Sequence, residues 1–330
     1  MAPEPLMRSA AESRAPSVAD VQAAAERIAP YLRPTALYPY PILSELVGAE
    51  VWVKHENHQP VGAFKVRGGV NLVAQLDRPE RERGLITAST GNHGQSIAYA
   101  AQLFGVKATI CVPDHANPVK IAAIRSFGAD VVERGRDFDE ARELCEELAG
   151  RHGYRYVHSG NEPDLIAGVG TITLEILAAQ PKLDAIVVPI GGGSGAAGAC
   201  IVAQARGVEV IGVQSEAAPA AYLSWRDHTL AEDRMETFAE GLATRVGFEL
   251  PQRIIRQLLE TFVLVSEDEI RQAVLQMIEG TRNLVEPAGA APLAAAVKLR
   301  EHLAGKRVAL ICTGGNITLA QLADIWQQPG

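Results

Sequence analysis

The amino-acid sequence predicts an α/β protein whose sheets are mainly parallel. Apolar, β-branched runs alternate along the chain with helix-length segments, which is the order expected of parallel strands joined by helices. Several of the runs are almost entirely apolar, as expected of strands that are covered on both faces. A chain of 330 residues suits one large domain or two moderate ones.

The predicted elements follow one another in nearly regular alternation. The predicted strands are Val51–Lys54, Leu85–Ser89, Ala108–Val112, Asp130–Glu133, Tyr156–His158, Ala185–Ile190, Val208–Gln214, Phe262–Val265 and Val308–Cys312. The predicted helices are Asn92–Phe104, Pro118–Phe127, Asp139–Ala149, Asp164–Ala178, Glu267–Asn283 and Pro292–Leu303. Ser266 has the form of a helix N-cap, because three acidic residues follow it in what would be the first turn.

Composition and charge narrow the classes of partner. Hydrophobic residues make up 47% of the chain and charged residues 21%, as in ordinary globular proteins. The net charge is −8 and no long basic run occurs, so neither nucleic acid nor an anionic membrane is an expected partner. No apolar run is long enough to span a bilayer.

Cysteine usage and the N-terminus indicate a cytoplasmic location. The 4 cysteines are far apart and form no CxxC pair, so a reducing compartment fits better than a disulfide framework or a zinc ribbon. Residues 1–17 are rich in Ala, Pro, Ser and Glu and lack the apolar region of a signal peptide. We expect them to form a disordered tail.

Three predicted strands end in turns that mix glycine with small polar residues, each just before a helical pattern. In open α/β sheets, ligands gather at the carboxyl ends of the strands. Glycine lets the backbone approach a ligand closely, and a helix N-terminus offers free N–H groups to an anion. The turns are Thr90-Gly91-Asn92-His93-Gly94, Gly191-Gly192-Gly193-Ser194-Gly195-Ala196-Ala197-Gly198 and Thr313-Gly314-Gly315-Asn316.

The turn at residues 191–198 is the clearest anion site. Its glycine backbone leaves N–H groups open and Ser194 adds a hydroxyl, so a phosphate monoester is the natural ligand. One alternative is a tight turn that serves close packing alone. Another is a nicotinamide-dependent dehydrogenase, because Gly193, Gly195 and Gly198 have the spacing of a dinucleotide-binding turn and Glu216 follows the next strand.

Lys65 is the lysine that follows the predicted strand Val51–Lys54. We predict that a helix begins near Gly62 and that Lys65 lies in its first turn. Cations favour the other end of a helix, so Lys65 does not serve the helix dipole, and an electropositive helix start lowers the pKa of an amine. A lowered pKa suits an amine that forms a Schiff base. The alternative is a solvated surface lysine.

The histidines give little support to a metal site. His55 and His58 are close in sequence, but no third ligand lies nearby and the HExxH pattern is absent. No metal is therefore expected. His93, within a glycine-rich turn, is a better candidate for contact with a substrate.

In these motifs the sequence resembles the threonine/serine dehydratase family, which depends on pyridoxal phosphate and has the fold of the tryptophan synthase β-subunit (fold type II). The resemblance covers nearly the whole chain, from Val21 to Leu322. Its motifs occur in the family's order and are together highly specific. They are Gly62-Ala63-Phe64-Lys65-Val66-Arg67-Gly68, Ser89-Thr90-Gly91-Asn92-His93-Gly94-Gln95, Gly191-Gly192-Gly193-Ser194-Gly195, Glu286-Pro287-Ala288-Gly289 and Thr313-Gly314-Gly315-Asn316.

The resemblance implies a role for each motif residue. Lys65 would carry pyridoxal 5'-phosphate covalently and move protons at the substrate Cα, and Thr90 would be the second catalytic residue. The implied cofactor-binding residues are Phe64 beside the ring, Lys65, Asn92 on the phenolic oxygen, Gly191, Gly192, Gly193, Ser194 and Gly195 on the phosphate, Glu286, and Thr313 at the pyridine nitrogen. The implied substrate-binding residues, which receive the carboxylate, are Ser89, Thr90, Gly91, Asn92 and His93.

The implied reaction is β-elimination from a β-hydroxy L-amino acid, which gives a 2-oxo acid and ammonia. L-Threonine or L-serine is the leading substrate. The neutral hydroxyl of Thr313 would leave the pyridine nitrogen unprotonated, which favours prompt elimination over transamination, and Lys65 would act as general base. Alternative substrates for the same chemistry are 3-phenylserine, 3-hydroxyaspartate and an intermediate of hydroxyectoine breakdown.

The sequence departs from the family pattern at several positions. Val61 and Ala63 replace a Thr and a Ser that the family often has, which indicates either a more apolar pocket or a change without effect on specificity. Thr90 replaces the serine that acts as opposite-face base in the serine racemase branch, which argues against racemisation as the main activity. Gln214 and Ala220 stand where that branch has acidic ligands of a divalent cation, so no such site is expected.

The resemblance also implies a two-domain architecture. Residues 1–83 and 162–330 would form a large cofactor-binding domain, and residues 84–161 a small mobile domain that closes on substrate. The implied assembly is a homodimer. Because the chain ends soon after the turn at Thr313, we expect a catabolic enzyme without a regulatory domain.

Overall fold

The computed structural model describes residues 14–328, so residues 1–13 of the predicted tail lie outside the described residues. Ser17, the last residue of that tail, is the N-cap of the first helix. Its Oγ atom accepts a hydrogen bond from the Asp20 N–H at 3.3 Å, and the Asp20 carboxylate accepts from the Ser17 N–H at 2.7 Å. This reciprocal capping box fixes the start of the helix, and the boundary predicted for the tail therefore falls inside the fold.

Ten strands form two sheets in the described residues. The strands are β1 Leu37–Pro39, β2 Glu50–His55, β3 Leu85–Ala88, β4 Ala108–Val112, β5 Asp130–Glu133, β6 Arg155–Tyr156, β7 Ala185–Pro189, β8 Glu209–Ser215, β9 Thr261–Val265 and β10 Arg307–Cys312. The larger sheet has the order β1-β2-β10-β7-β8-β9, and the smaller has the order β5-β4-β3-β6. All pairings are parallel except that of β1 with β2.

Helices cover both faces of the sheets. They are α1 Val18–Ile28, α2 Pro41–Val47, α3 Val66–Ala74, α4 Arg78–Arg83, α5 Asn92–Phe104, α6 Pro118–Ser126, α7 Phe138–His152, α8 Pro163–Ala179, α9 Ser194–Gln204, α10 Ala220–Arg226, α11 Glu249–Leu258, α12 Glu267–Thr281, α13 Pro287–Lys298, α14 Arg300–Leu303 and α15 Leu319–Gln327, with short 3-10 turns at Glu56–His58 and Glu240–Leu242. In the described part of the chain, no helix is both long and apolar enough to cross a membrane.

The cores explain why the predicted strands are so apolar. The larger sheet has one buried cluster on each face, which matches strands such as β7 and β10 that are buried on both sides. The cluster beneath the smaller sheet also contains residues of α3, so α3 and α5 share one core. The predicted limits of the small domain, residues 84–161, remain a prediction.

The α/β architecture with mainly parallel sheets is as predicted, and the differences are local. The antiparallel edge strand Leu37–Pro39 was not predicted, because its three residues carry no alternating pattern. The helix predicted from Pro292 begins at Pro287, which takes the first helical position, and Pro292 lies inside it. The capping box predicted at Ser266 is present, with Ser266 Oγ accepting from the Glu269 N–H at 3.1 Å.

Candidate active site

Lys65 lies at the end of the loop that joins strand β2 to helix α3. The helix begins at Val66, so Lys65 is its N-cap and not part of the first turn that the sequence predicted. Its Nζ atom donates to Ser194 Oγ at 3.0 Å and to the Ser159 carbonyl at 3.2 Å. Burial lowers the pKa of Lys65 to about 8. The direction agrees with the prediction, but the cause is desolvation and not the helix start.

A cradle of free N–H groups follows β7. Gly193, with φ +87°, caps helix α9, and within residues 14–328 the N–H groups from Gly191 to Ala196 meet no protein acceptor. A Cβ atom on Gly192 would lie 2.4 Å from Phe248, and one on Gly191 would lie 2.3 Å from the Gly241 carbonyl oxygen. Glycine is therefore needed for packing, and the helix N-terminus behind it remains open to an anion.

Phe64 and Thr313 join two of the motifs. The Phe64 N–H donates to the Thr313 carbonyl oxygen at 2.9 Å, and Ala63 forms an isolated bridge with Gly314. A Cβ atom on Gly195 would have the Phe64 ring as its nearest neighbour, at 3.3 Å. The centroid of that ring lies 5.4 Å from Lys65 Nζ. The lysine segment and the third glycine-rich turn are thus one structural unit, although they come from opposite ends of the chain.

The turn at residues 89–94 presents a second set of free N–H groups. Ser89 Oγ accepts from the N–H groups of Gly91 at 3.3 Å and Gly94 at 3.0 Å, and this holds the turn. Among the described residues, no protein acceptor faces the N–H groups of Thr90, Asn92 and His93. At the N-terminus of α5 these groups suit a carboxylate.

His93 turns its imidazole away from this anion site and into the small sheet. Its Nε2 lies 3.0 Å from Thr87 Oγ1, and Thr87 donates to the Val157 carbonyl at 2.7 Å. The Thr87 hydroxyl has only one hydrogen, so His93 Nε2 carries the proton. Burial, with help from the nearby Lys65, lowers the pKa of His93 to about 3. The imidazole is therefore neutral, and His93 offers the anion site its backbone N–H.

Asn92 and Glu286 lie together at the edge of the same site. Asn92 Nδ2 donates to Glu286 Oε1 at 2.8 Å, and Asn92 Oδ1 accepts from Asn316 Nδ2 at 2.7 Å. Burial raises the pKa of Glu286 to about 7. Contacts and electrostatics thus connect Lys65 to the cradle and to His93, and the turn at residues 89–94 to Glu286.

Three further neighbours of the site were not predicted from the sequence. The first is Ser159, whose carbonyl oxygen accepts a hydrogen bond from Lys65 Nζ. The other two are His158 and Phe248, which lie beside the cradle with their ring centroids 4.9 Å apart and their ring planes nearly perpendicular. Burial lowers the pKa of His158 to about 4. None of them belongs to a sequence pattern, because each reaches the site through a loop.

The histidines considered for a metal have other partners. His55 Nε2 lies 2.8 Å from the Tyr40 hydroxyl, and His58 Nε2 lies 2.7 Å from Asn283 Oδ1. Over residues 14–328, no group of three or more His, Cys, Asp or Glu side chains is arranged to hold a metal ion. Gln214 is fully buried; its Nε2 donates to the Leu242 carbonyl in the 3-10 turn Glu240–Leu242, and its Oε1 accepts from the Tyr222 N–H in α10.

A desolvated lysine amine beside a cradle of free N–H groups is suited to hold a phosphorylated aldehyde covalently. The chain belongs to the family of pyridoxal-phosphate dependent enzymes, whose model matches residues 28–314. The residues fit this cofactor, since the cradle is open to a phosphate and Lys65 Nζ lies next to it.

Relatives and solved structures agree with this assignment. The chain is 38% identical over 311 residues to an L-threonine ammonia-lyase of Thermotoga maritima, covering 93% of this chain and 77% of the relative. It is 34% identical to an L-threo-3-hydroxyaspartate ammonia-lyase of Saccharomyces cerevisiae, covering 94% and 96%. Threonine deaminase isoform 2 of Solanum lycopersicum superposes with a TM-score of 0.91 at 31% identity, covering 95% and 92%.

These comparisons confirm the predicted family, fold, cofactor and ammonia-lyase class of enzyme. They also overturn the alternative of a nicotinamide-dependent dehydrogenase, because the turn from Gly193 to Gly198 belongs to a pyridoxal-phosphate enzyme. The individual roles predicted for Lys65, Thr90 and the other site residues stay predictions.

Proposed function

We propose that this enzyme removes water and then ammonia from L-threonine or L-serine, leaving a 2-oxo acid. The observation that carries the proposal is the position of Lys65 Nζ, which lies 3.0 Å from Ser194 Oγ at the open cradle and close enough to His93, in the turn after Ser89, to help lower the pKa of that imidazole. The threonine ammonia-lyases among the relatives support the choice of substrate.

In this proposal different residues of the chain bind different parts of the cofactor. The N–H groups from Gly191 to Gly195 and the Ser194 hydroxyl hold the phosphate, and Phe64 packs beside the ring. Asn92 donates to the phenolic oxygen and Thr313 faces the pyridine nitrogen. When bound, pyridoxal phosphate supplies an electron sink for charge that develops at the substrate Cα.

Lys65 moves the proton at Cα. Burial lowers its pKa to about 8, so a useful fraction of the amine is neutral near neutral pH and can act as a base. The Thr90 hydroxyl has no hydrogen-bond partner among the described residues and is free to meet the substrate. The N–H groups of Thr90, Asn92 and His93 receive the substrate carboxylate and so orient the Cα–H bond.

One alternative substrate has support and another has little. The yeast relative is a 3-hydroxyaspartate ammonia-lyase, which favours L-threo-3-hydroxyaspartate as the second candidate. The proposal of a bulky apolar substrate such as 3-phenylserine requires Val61 and Ala63 to line an apolar substrate pocket. Val61 is 3% exposed and packs in the core shared by α3 and α5, and Ala63 is fully buried. The burial of both side chains therefore favours a role in core packing over a role in a substrate pocket.

The experiment measures 2-oxo acid formation from L-threonine, L-serine, both L-3-phenylserine diastereomers and L-threo-3-hydroxyaspartate. Lys65→Ala is the inactive variant and Lys182→Ala, at an exposed position, is the matched control. We expect turnover of threonine or serine by the native chain and the control, with none by Lys65→Ala. Turnover of hydroxyaspartate alone would select the second candidate, and no turnover by cofactor-loaded enzyme would refute the proposal.

We further propose that the enzyme is a cytoplasmic homodimer. The four cysteines are free and buried, which suits a reducing compartment. Helices α12 and α15 form an apolar groove, and its rim holds Leu319, 84% exposed, and Trp326, 69% exposed. An apolar face of this kind suits a protein partner, and a second copy of this chain would cover it in the dimer. Light scattering should give a dimer that Trp326→Asp dissociates and Leu103→Asp, on α5, does not; a native monomer would refute it.

A further inference from the structure

The Asn92 side-chain amide is held at both ends. Its Nδ2 donates to Glu286 Oε1 at 2.8 Å, and its Oδ1 accepts from Asn316 Nδ2 at 2.7 Å. Asn316 Nδ2 donates also to the Val61 carbonyl at 2.8 Å. Each amide nitrogen carries two hydrogens, so Asn316 uses both while Asn92 keeps one.

Two glycines make room for the groups that hold Asn92. A Cβ atom on Gly314 would lie 2.5 Å from Glu286 Oε1, and the Glu286 N–H donates to the Gly314 carbonyl at 3.0 Å. A Cβ atom on Gly62 would lie 2.7 Å from Asn316 Oδ1, and Gly62 has φ +66°. Gly62 lies three residues before Lys65, and Gly314 forms a bridge with the intervening Ala63. The absence of a Cβ atom at both glycines therefore leaves room for the side chains of Asn316 and Glu286 beside the lysine segment.

This arrangement excludes the flipped amide. If the Asn92 side chain turned over, its N–H groups would face the Asn316 N–H, and its oxygen would face Glu286, which can donate only in its protonated form. Asn316 cannot relieve the conflict by turning as well, because its Nδ2 is needed by the Val61 carbonyl. The bond to Asn316 would be lost in either protonation state of Glu286, and the bond to Glu286 would be lost in its ionised state; buried polar groups without partners are costly.

We propose that Glu286 and Asn316 are positioning residues that fix the Asn92 amide in one orientation and leave one of its N–H groups for the cofactor's phenolic oxygen. The inference rests on the proposed role of Asn92. It gives Asn316 a function that its motif alone does not indicate, and it has Glu286 act through Asn92.

The test compares Asn316→Asp, Asn92→Ala and the double variant. Asparagine-to-aspartate at residue 316 keeps the shape but places an acceptor opposite Asn92 Oδ1 and the Val61 carbonyl. Asn283→Asp is the control, because Asn283 also donates to a backbone carbonyl, that of Thr281, outside this network. The measurements are the dissociation rate of the cofactor from holoenzyme and the visible absorption band of the bound cofactor.

We expect Asn316→Asp to raise the dissociation rate about tenfold, the effect of losing one oriented hydrogen bond, and to shift the band. The control should change neither. In the double variant the effect of Asn316→Asp should shrink, because the part that acts through Asn92 is gone and only the change at the Val61 carbonyl remains. If the two effects add in full, the inference is wrong. Should Asn316→Asp fail to fold, Asn316→Ala replaces it in the same cycle.

Glu286 gives an independent arm. Glu286→Gln keeps an acceptor oxygen for Asn92 Nδ2 and should stay within about twofold of the native dissociation rate, whereas Glu286→Leu should match Asn92→Ala. Equal losses in both Glu286 variants would overturn its role as an acceptor. If Asn92→Ala alters neither readout, the proposed role of Asn92 fails; if it does and Asn316→Asp does not, only this inference fails.

Discussion

Lys65 Nζ and Ser194 Oγ lie 3.0 Å apart, although the two residues are separated by 129 positions in the chain. One belongs to the N-cap of α3 and the other begins α9, so the amine and the phosphate cradle meet where two helix N-termini converge. If Lys65 captures the cofactor and the cradle binds its phosphate, as proposed, this contact couples the two events, and changes to either helix should affect both.

The first prediction concerns the fit of Gly192 against Phe248. Gly192→Ala should lower the free energy of unfolding by about 1–3 kcal/mol, because its Cβ would lie 2.4 Å from the ring, and it should weaken cofactor binding. Phe248→Ala added to it should recover part of the loss. Chemical unfolding and cofactor titration measure both effects.

Gly150→Ala is the control for this substitution, since it lies in α7 with open space around it. It should leave cofactor binding unchanged. Equal cofactor affinity in Gly192→Ala and the native chain would contradict the account of the cradle.

The second prediction concerns the buried ion pairs of Arg67, which anchor α3. Arg67 contacts Glu56 at 2.7 Å and Glu175 at 2.6 Å, and Lys54 contacts Glu175 at 2.5 Å. Removing one partner leaves uncompensated buried charge, so Arg67→Leu should cost about 3–5 kcal/mol in urea unfolding. Arg78→Leu, which breaks an exposed pair, should cost under about 1 kcal/mol. Similar losses from the two would be inconsistent with a buried anchor.

The third prediction concerns the pH dependence of cofactor loading. Only the neutral amine of Lys65 attacks an aldehyde, and burial places its pKa at about 8. The rate at which apoenzyme takes up pyridoxal phosphate should rise with pH up to about 8 and then level. Spectroscopic mixing experiments follow the rate. A rate that still rises steeply well above pH 8 would show that the amine is not depressed.

The fourth prediction is acid lability caused by buried neutral histidines. The folded-state pKa values of His55 and His93 are about 4 and 3, below the ordinary 6.5, because of burial. Below pH 6.5 the unfolded chain binds protons that the folded chain does not, so the contribution of these groups to stability is full above 6.5 and is lost as pH falls to about 4 for His55 and about 3 for His93. His93→Gln should reduce the slope of unfolding free energy against pH in this window; an unchanged slope would exclude His93 as a source.

The fifth prediction concerns Gln214, the residue that the family resemblance sets against a cation ligand of the serine racemase branch. Its Nε2 faces the Leu242 carbonyl and Thr244 Oγ1, each at 3.4 Å, and its Oε1 accepts from the Tyr222 N–H at 3.0 Å. Gln214→Glu would place a carboxylate oxygen opposite the Leu242 carbonyl oxygen and Thr244 Oγ1, and oxygen ligands of this kind suit a divalent cation. The variant should lose cofactor retention in EDTA and regain it with Mg²⁺ or Ca²⁺, while the native chain stays indifferent to both. EDTA sensitivity of the native chain would count against this account.

Much of the architecture follows from the sequence because it depends on local patterns. Strands such as Ala108–Val112 and Asp130–Glu133 were predicted to the residue, since apolar runs between turn residues limit their ends. The glycine-rich turns were predicted for the same reason: they require backbone freedom that only their own residues supply. The resemblance to the dehydratase family added the roles, which no local pattern contains.

The sequence by itself determined the parallel α/β frame, the cradle after β7 and the presence of a candidate lysine. Only the tertiary structure decided that Lys65 caps α3 and loses its solvent, that the His93 imidazole turns toward Thr87, and that Asn316 holds Asn92. The physical reason is that desolvation and hydrogen-bond partners come from residues far apart in the chain, and a side chain's direction is set by what packs against it.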